Sequence, residues 1–146
     1  MTPVDHTICY LNTDLDLRSG VDLTELIGAF ETAGVFSLYG ATGEEGDWHA
    51  SFETQKQHTE PESNIAEMLN VVESLSSPLR AVWDRCELRE FNIGYDCGDE
   101  PWAFNQGLSP ALLGRMSAAG AALRITIYPD RKSRVPDQAA QTPGTD

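Results

Sequence analysis

The chain has 146 residues, a usual length for one domain, and its 40% hydrophobic content can build a core without disulfide or metal staples. Its net charge of −13 repels phosphates, which argues against the class of nucleic-acid-binding proteins that use a basic patch. No apolar run approaches the ~18 residues of a membrane span, and the N-terminal residues lack the segments of a secretion signal. We therefore expect a cytoplasmic protein.

The negative charge is concentrated in the first half of the chain. Residues 1–73 carry fourteen acids against two bases, a net charge of −12, whereas residues 74–146 carry nine against eight, a net charge of −1. A surface of this sign speeds encounter with a basic protein. It also keeps a protein in solution, so the charge alone leaves both interpretations open.

The first half predicts a strand, a helix and a hairpin. Residues 6–13 alternate at period two, as a strand does. Residues 22–33 begin with a capping aspartate, carry an apolar stripe and end before a glycine, which predicts a helix. Residues 35–40 and 47–54 are β-rich runs separated by glycines and acids, which predicts a hairpin.

The middle of the chain predicts a helix and a strand. Residues 64–75 carry a continuous apolar stripe at helical spacing. Pro78 then stops the helix, kinks it, or opens a further helical turn. Residues 86–96 alternate apolar and polar side chains, as a strand does. The segment around Trp102 begins as a turn and could close a second hairpin.

The C-terminal part predicts a helix, a strand and a tail. A Ser-Pro pair begins a helix over residues 110–119, because serine can cap and proline lacks the amide left unpaired in the first turn. Residues 123–128 alternate cleanly and predict a final strand. Residues 129–146 have little to bury, and we expect them to be a disordered tail after a single domain over residues 1–128.

The predicted element order is β-α-β-β-α-β-(β)-α-β, with the bracketed strand left open. This order predicts an α+β fold: a mostly antiparallel sheet of five to six strands with three helices packed mainly on one face.

The sequence carries no specific motif for catalysis, a metal or a cofactor. Asp96, Asp99 and Glu100 lie in one turn but lack the ligand spacing of a calcium loop, so we interpret them as a solvated turn. A GxSxG motif and a glycine-rich phosphate loop are both absent. Three histidines lack the paired spacing of a zinc site and are interpreted as lone exposed residues: His6, His49 and His58. We expect no enzyme and no cofactor.

Two stretches are candidates for binding a partner protein. An aromatic ring between carboxylates can fill a pocket while the charges orient a basic partner, although Trp102 and Phe104 could instead belong to the core. The acidic turn of the first predicted hairpin is the second candidate, and such a turn is more often only solvated. The candidate partner-binding residues are Glu44, Glu45, Asp47, Asp99, Glu100 and Trp102.

Five stretches in order carry a resemblance to a known family: ICYLNTDLDL, DLTELIGAF, GDWHASFET, NIAEMLNVVESL and LSPALLGRMSAAGAALRITIYP, within about residues 7–129. They resemble a family of small bacterial α+β proteins catalogued as a domain of unknown function. Members of such families are often encoded beside secreted toxins and look like their immunity proteins. The resemblance implies a protein that blocks a type VI or contact-dependent toxin by tight binding, and it carries over no catalytic residue.

Other functions stay open beside this one. The first is an acidic mimic of nucleic acid that inhibits a DNA-binding or restriction protein. The second is a small hydrolase that uses Asp96, Asp99 or Glu100, and a housekeeping or scaffold role is also open. For the leading hypothesis the partner is a basic toxin, with no nucleic acid and no membrane, and the oligomeric state is not predicted.

Overall fold

The computed structural model describes residues 6–42 and 46–129. Within these ranges it is an α+β fold with five strands and four helices. None of the helices in these ranges is long and apolar enough to cross a membrane. In chain order the elements are β1 (Cys9–Ser19), α1 (Thr24–Thr32), β2 (Val35–Thr42), β3 (Trp48–Thr54), α2 (Pro61–Glu73), α3 (Ser77–Asp84), β4 (Leu88–Asp96), α4 (Pro110–Ala118) and β5 (Ala122–Tyr128).

The strands form one mixed sheet in the order β2-β3-β1-β4-β5. Three neighbouring pairs are antiparallel, as predicted, but β4 and β5 are parallel. The possible hairpin after β4 is not formed: between Cys97 and Ser109 the chain makes only an isolated bridge, from Glu100 to Thr7. The chain therefore returns through α4, and a helical crossover places the next strand parallel to the last.

The prediction of three helices is wrong by one. The hydroxyl of Ser76 accepts a hydrogen bond from the backbone N–H of Leu79, and Pro78 lies in the first turn, where its missing N–H costs nothing. Pro78 could have stopped the preceding helix, kinked it or begun a further helical turn. The structure has the further turn, which continues as α3.

One face of the sheet makes the core together with the helices. Along β1 the buried positions are Thr13, Leu15, Leu17 and Ser19, every second residue. They join Phe52 of β3 and side chains from all four helices in one buried cluster. The opposite face of β1 is polar, because the intervening residues are acids, an amide and an arginine.

Trp83 of α3 lies at the centre of this core. Its ring is fully buried and stacks against Phe30 at a centroid distance of 6.2 Å, and Phe30 in turn stacks on Phe52 at 4.7 Å. The indole N–H donates a 2.8 Å hydrogen bond to the carbonyl of Ala119, just after α4. Trp83 therefore joins α1, the sheet and the end of α4.

Arg89 at the start of β4 ties two chain turns together. Its guanidinium donates to the carbonyls of Trp83, Asp84 and Cys86 at 2.8–3.1 Å, and to that of Gly120 at 3.0 Å. Gly120 has φ +69°, and a Cβ there would lie 2.8 Å from the Arg89 guanidinium. Glycine is required at this turn both for its backbone conformation and for the space that Arg89 occupies.

Candidate functional site

The polar side of the sheet positions five charged side chains on neighbouring strands. Because side chains alternate along a strand, residues at every second position of β1, β3, β4 and β5 point to the side opposite the core. We call this surface the acidic face, and it consists of Asn12, Asp14, Asp16, Ser51, Glu53, Glu90, Asn92 and Arg124. Its centre is β1, the middle strand of the sheet.

Three carboxylates occupy the middle of the acidic face. The side-chain amide of Asn12 donates to Asp14 Oδ1 and to Glu53 Oε2, both at 3.0 Å, so one amide holds both carboxylates. Asp16 Oδ1 accepts a 2.7 Å hydrogen bond from the hydroxyl of Ser51 on β3. These bonds are made to groups on strands, and they fix the positions of the three carboxylates.

A buried asparagine supports this arrangement from the helix side. Asn64 of α2 donates to Asn12 Oδ1 at 3.3 Å and to the hydroxyl of Tyr10 at 2.9 Å. Asn64 is buried, so its amide is committed to these partners rather than to water. The orientation of the Asn12 amide is thereby set by the core.

Among the described residues, ion pairs on the acidic face form only at its border, and Arg124 at that border also attracts Asp16 electrostatically. Arg124 pairs with Glu90 at 2.7 Å, and Arg18 pairs with Glu87 at 3.4 Å near the end of β1. Within residues 6–42 and 46–129, no ion pair within 4.0 Å involves Asp14, Asp16 or Glu53. Among the described residues, the middle of the face therefore presents three carboxylates with no cation within 4.0 Å.

The pKa of Asp14 is raised by its position in this cluster. Burial first, and then repulsion from Asp16 and from Glu53, raises the pKa of Asp14 from 3.8 to about 6. Both causes disfavour the charged carboxylate. A cationic group placed against the cluster would relieve the repulsion.

The raised pKa predicts how stability depends on pH. Because the folded pKa lies above the unfolded one, the stabilising contribution is present below pH 3.8 and is lost as pH rises through about 6. After solvent screening at this half-buried site, the raised pKa corresponds to about 1–2 kcal/mol of free energy. Asp14→Asn should therefore be more stable than wild type by about 1–2 kcal/mol at pH 7.5 and nearly equal at pH 4, in urea unfolding. Parallel pH profiles for the two proteins would contradict this.

The sequence-based candidates lie elsewhere. Glu44 and Glu45 lie outside the described residues, and Asp47 is half-buried just before β3. A loop after β4 carries the exposed candidates Asp99, Glu100 and Trp102.

Trp102 is 98% exposed, so the alternative that its ring fills the core is wrong. Phe104 is half-buried and packs edge-on against Tyr95 at 5.6 Å. The candidate list contains none of the three central carboxylates of the acidic face. The signal that could have found them is the alternation Asp14-Leu15-Asp16-Leu17, which continues β1 beyond its predicted end.

The interpretation of His58 as a lone exposed histidine is wrong. Its side chain is only 7% exposed and bridges two residues of α2. Ring atom Nδ1 lies 3.0 Å from the hydroxyl of Ser63, and Nε2 lies 2.8 Å from Glu67 Oε1. The three side chains form one row that connects the loop before α2 to the first two turns of the helix.

The part of the chain that the structure describes holds no group of three or more His, Cys, Asp or Glu side chains placed to bind a metal ion. Protein-family models, curated proteins and solved structures were compared with the chain, and none of them matches. The resemblance to an immunity-like family stays a prediction. Function is therefore inferred from the acidic face and its geometry.

Proposed function

We propose that the chain is an immunity protein that binds a basic bacterial toxin through the acidic face and neutralises it. The observation that carries the proposal is the set of three carboxylates, Asp14, Asp16 and Glu53, held on a sheet face that the helices leave open. Carboxylates that no cation of the described residues contacts suit lysine and arginine side chains of a partner.

The rigidity of the acidic face favours tight binding. A loop carboxylate must lose conformational freedom when it binds, whereas these carboxylates lie on strands and are already fixed by Asn12 and Ser51. Preorganisation of this kind lowers the entropic cost of association. Glu90 and Arg124 at the border add a charge pair that can orient the partner.

The sign of the charge supports a toxin that acts on nucleic acid. Such a toxin carries basic residues where it contacts phosphates, and an acidic inhibitor can approach the same surface. The concentration of negative charge in residues 1–73, the part of the chain that contains β1 and β3, agrees with this proposal. The motif resemblance to families encoded beside secreted toxins supports the same class of partner.

The first test is a pull-down with the full chain as bait in its native lysate, eluted with a salt gradient and identified by mass spectrometry. We expect a basic protein encoded beside this chain, released only at high salt, and we expect the chain to abolish the toxicity of that protein. Capture of a housekeeping DNA-binding or restriction protein, in competition with DNA, would replace the proposal by the nucleic-acid mimic. If the bait captures no protein from a lysate that contains the neighbouring gene product, both the immunity proposal and the nucleic-acid mimic are rejected.

A second candidate function, ester hydrolysis, is favoured by the row Ser63–His58–Glu67. In the tautomer in which Ser63 donates to His58 and His58 donates to Glu67, the row has the donor order of a serine hydrolase. Ser63 lies in the first turn of α2, which begins without a side-chain cap, so backbone N–H groups lie nearby. The Ser63 hydroxyl also lies 3.2 Å from the Glu60 carbonyl, to which it can donate, and its single proton serves one acceptor at a time.

A fluorophosphonate probe distinguishes the two roles of this row. A hydrolase should be labelled at Ser63, and the label should be lost in Ser63→Ala and at least about 100-fold slower in His58→Gln, the usual size of a general-base effect. A purely structural row should give no label, while His58→Gln still lowers the free energy of unfolding. The absence of label on the folded wild-type protein rejects the second candidate.

A further inference from the structure

The edge strand β5 carries an apolar surface that the helices do not cover. Leu123, Ile125 and Ile127 lie on the helix side of the sheet, in register with Phe91, Ile93 and Tyr95 of β4. Phe91 and Ile93 are buried, whereas the three β5 side chains are 41%, 59% and 64% exposed. We call these three residues the β5 stripe, and the helix layer ends before it.

A cavity of about 330 Å³ adjoins the β5 stripe. Ile125 and Ile127 form one wall, and the rest of the lining is Ile8, Tyr95, Phe104, Cys97 and Gln106. The exposed surface is therefore not three isolated side chains but a continuous apolar area at the end of the sheet. Contiguous exposed apolar area of this kind marks a contact surface.

The backbone of β5 is also available for pairing. Among the described residues it is the last strand of the sheet and pairs with β4 alone. The β4–β5 register runs without a shift from Ala122 to Tyr128, whereas β2 at the other edge has a register shift between Ser37 and Tyr39. Bulges and inward charges are two devices that keep an edge strand from pairing, and the described strand β5 has neither.

We propose that β5 pairs antiparallel with β5 of a second copy of this chain, joining two sheets into one. With Ile125 opposite Ile125 of the second copy, all seven residues of the strand find a partner, and Leu123 lies opposite Ile127 in both directions. The β5 stripes of the two copies then lie side by side on one face of the joined sheet. Shifting the centre to Arg124 would place two arginines opposite each other, which disfavours that register.

Charge identifies a second copy as the occupant. Each chain carries a net charge of −13, which opposes self-association in general, so contact between two copies is favoured at a surface that lacks excess negative charge. The single charged residue of β5, Arg124, is already paired with Glu90, and the β5 stripe itself is uncharged. A basic partner finds no carboxylate on this stripe, whereas a second copy offers the same apolar surface in return, as a two-fold interface requires.

The dimer leaves both acidic faces open. Antiparallel pairing of two identical edges places the two-fold axis perpendicular to the sheet, so the acidic faces lie on the same side of the joined sheet. The inference does not rest on the proposed function, because β5 pairing uses the strand edge and the opposite face. A dimer could hold two partner molecules.

The test is the mass of the full chain in solution, measured by light scattering after size exclusion and by sedimentation over a wide range of concentration. We expect about twice 16.0 kDa for the wild type and 16.0 kDa for Ile125→Lys, with unchanged circular dichroism. Phe36→Lys is the matched control, because Phe36 is 42% exposed on the opposite edge strand, and this variant should remain a dimer. A monomeric wild type, or a dimer that survives Ile125→Lys, would overturn the proposal.

Cysteine cross-linking tests the register. In a background with Cys9→Ser and Cys97→Ser, which removes the exposed native thiols, Ile125→Cys should form an intermolecular disulfide on mild oxidation. Leu123→Cys should not, because its partner across the interface is Ile127. Equal cross-linking at both positions would overturn the register. A wild-type chain that is a monomer, and that dimerises only after removal of residues 130–146, would overturn the proposal.

Discussion

Replacing Trp83 with alanine should lower the free energy of unfolding by about 3–5 kcal/mol, the usual cost of emptying a buried tryptophan site. The ring is fully buried, and it stacks against Phe30. The substitution also leaves the carbonyl of Ala119 without the indole N–H that it accepts. Because a domain of this size is stable by only about 5–15 kcal/mol, the variant should unfold at much lower urea concentration.

The chain provides its own control for this experiment. Trp102 is the same residue type but 98% exposed, so Trp102→Ala should change the free energy of unfolding by less than about 0.5 kcal/mol. Trp83→Phe keeps most of the stacking and loses the hydrogen bond to Ala119, which should cost about 1–3 kcal/mol. Urea titrations followed by far-ultraviolet circular dichroism measure all three. Equal losses for Trp83→Ala and Trp102→Ala would contradict the position of Trp83 in the core.

Local patterns in the sequence predicted most elements but not the length of the central strand. The predicted strand ended at residue 13, because aspartate is unfavourable in strands. In the structure β1 continues to Ser19, since Leu15 and Leu17 are buried in the core and this burial outweighs the propensity of the two aspartates. Because the predicted strand ended too early, it did not include Asp14 and Asp16. The acidic face was therefore not predicted.

The direction of the last strand depended on an element that the sequence left open. A strand around Trp102 would have reversed the chain and allowed β5 to run antiparallel to β4. Without it, α4 alone returns the chain, and the pair becomes parallel. The contacts of His58 were not predictable either, because its two partners lie five and nine residues away and meet it only when α2 forms. Spacing rules for metal ligands do not detect such a bridge.

Removing the three central charges of the acidic face should weaken binding of the basic partner at least about 100-fold, or about 2.7 kcal/mol. The variant is Asp14→Asn with Asp16→Asn and Glu53→Gln, which keeps side-chain size and hydrogen-bonding capacity. Charge pairs at protein interfaces contribute about 1.5–7 kcal/mol each when they are in close contact. Isothermal titration calorimetry with the purified partner measures the change.

The control variant removes the same number of charges from other exposed sites: Glu25→Gln, Glu60→Gln and Asp99→Asn. If position matters, this variant should lose less than about tenfold, because only long-range attraction falls. Equal losses in the two variants would mean that net charge, not the acidic face, attracts the partner. A loss confined to the control would instead favour the loop that contains Asp99, as the sequence-based candidates proposed.

The pH dependence of binding separates the acidic face from general charge attraction. Burial and the neighbouring carboxylates raise the pKa of Asp14 to about 6, so the free protein is partly protonated there near that pH. A cation of the partner stabilises the charged form and lowers this pKa, so complex formation releases a proton near pH 6. Affinity should therefore fall as pH decreases from about 7 to about 5, and Asp14→Asn should flatten this decrease. An unchanged pH profile in Asp14→Asn would place the partner away from Asp14, even if the pull-down succeeds.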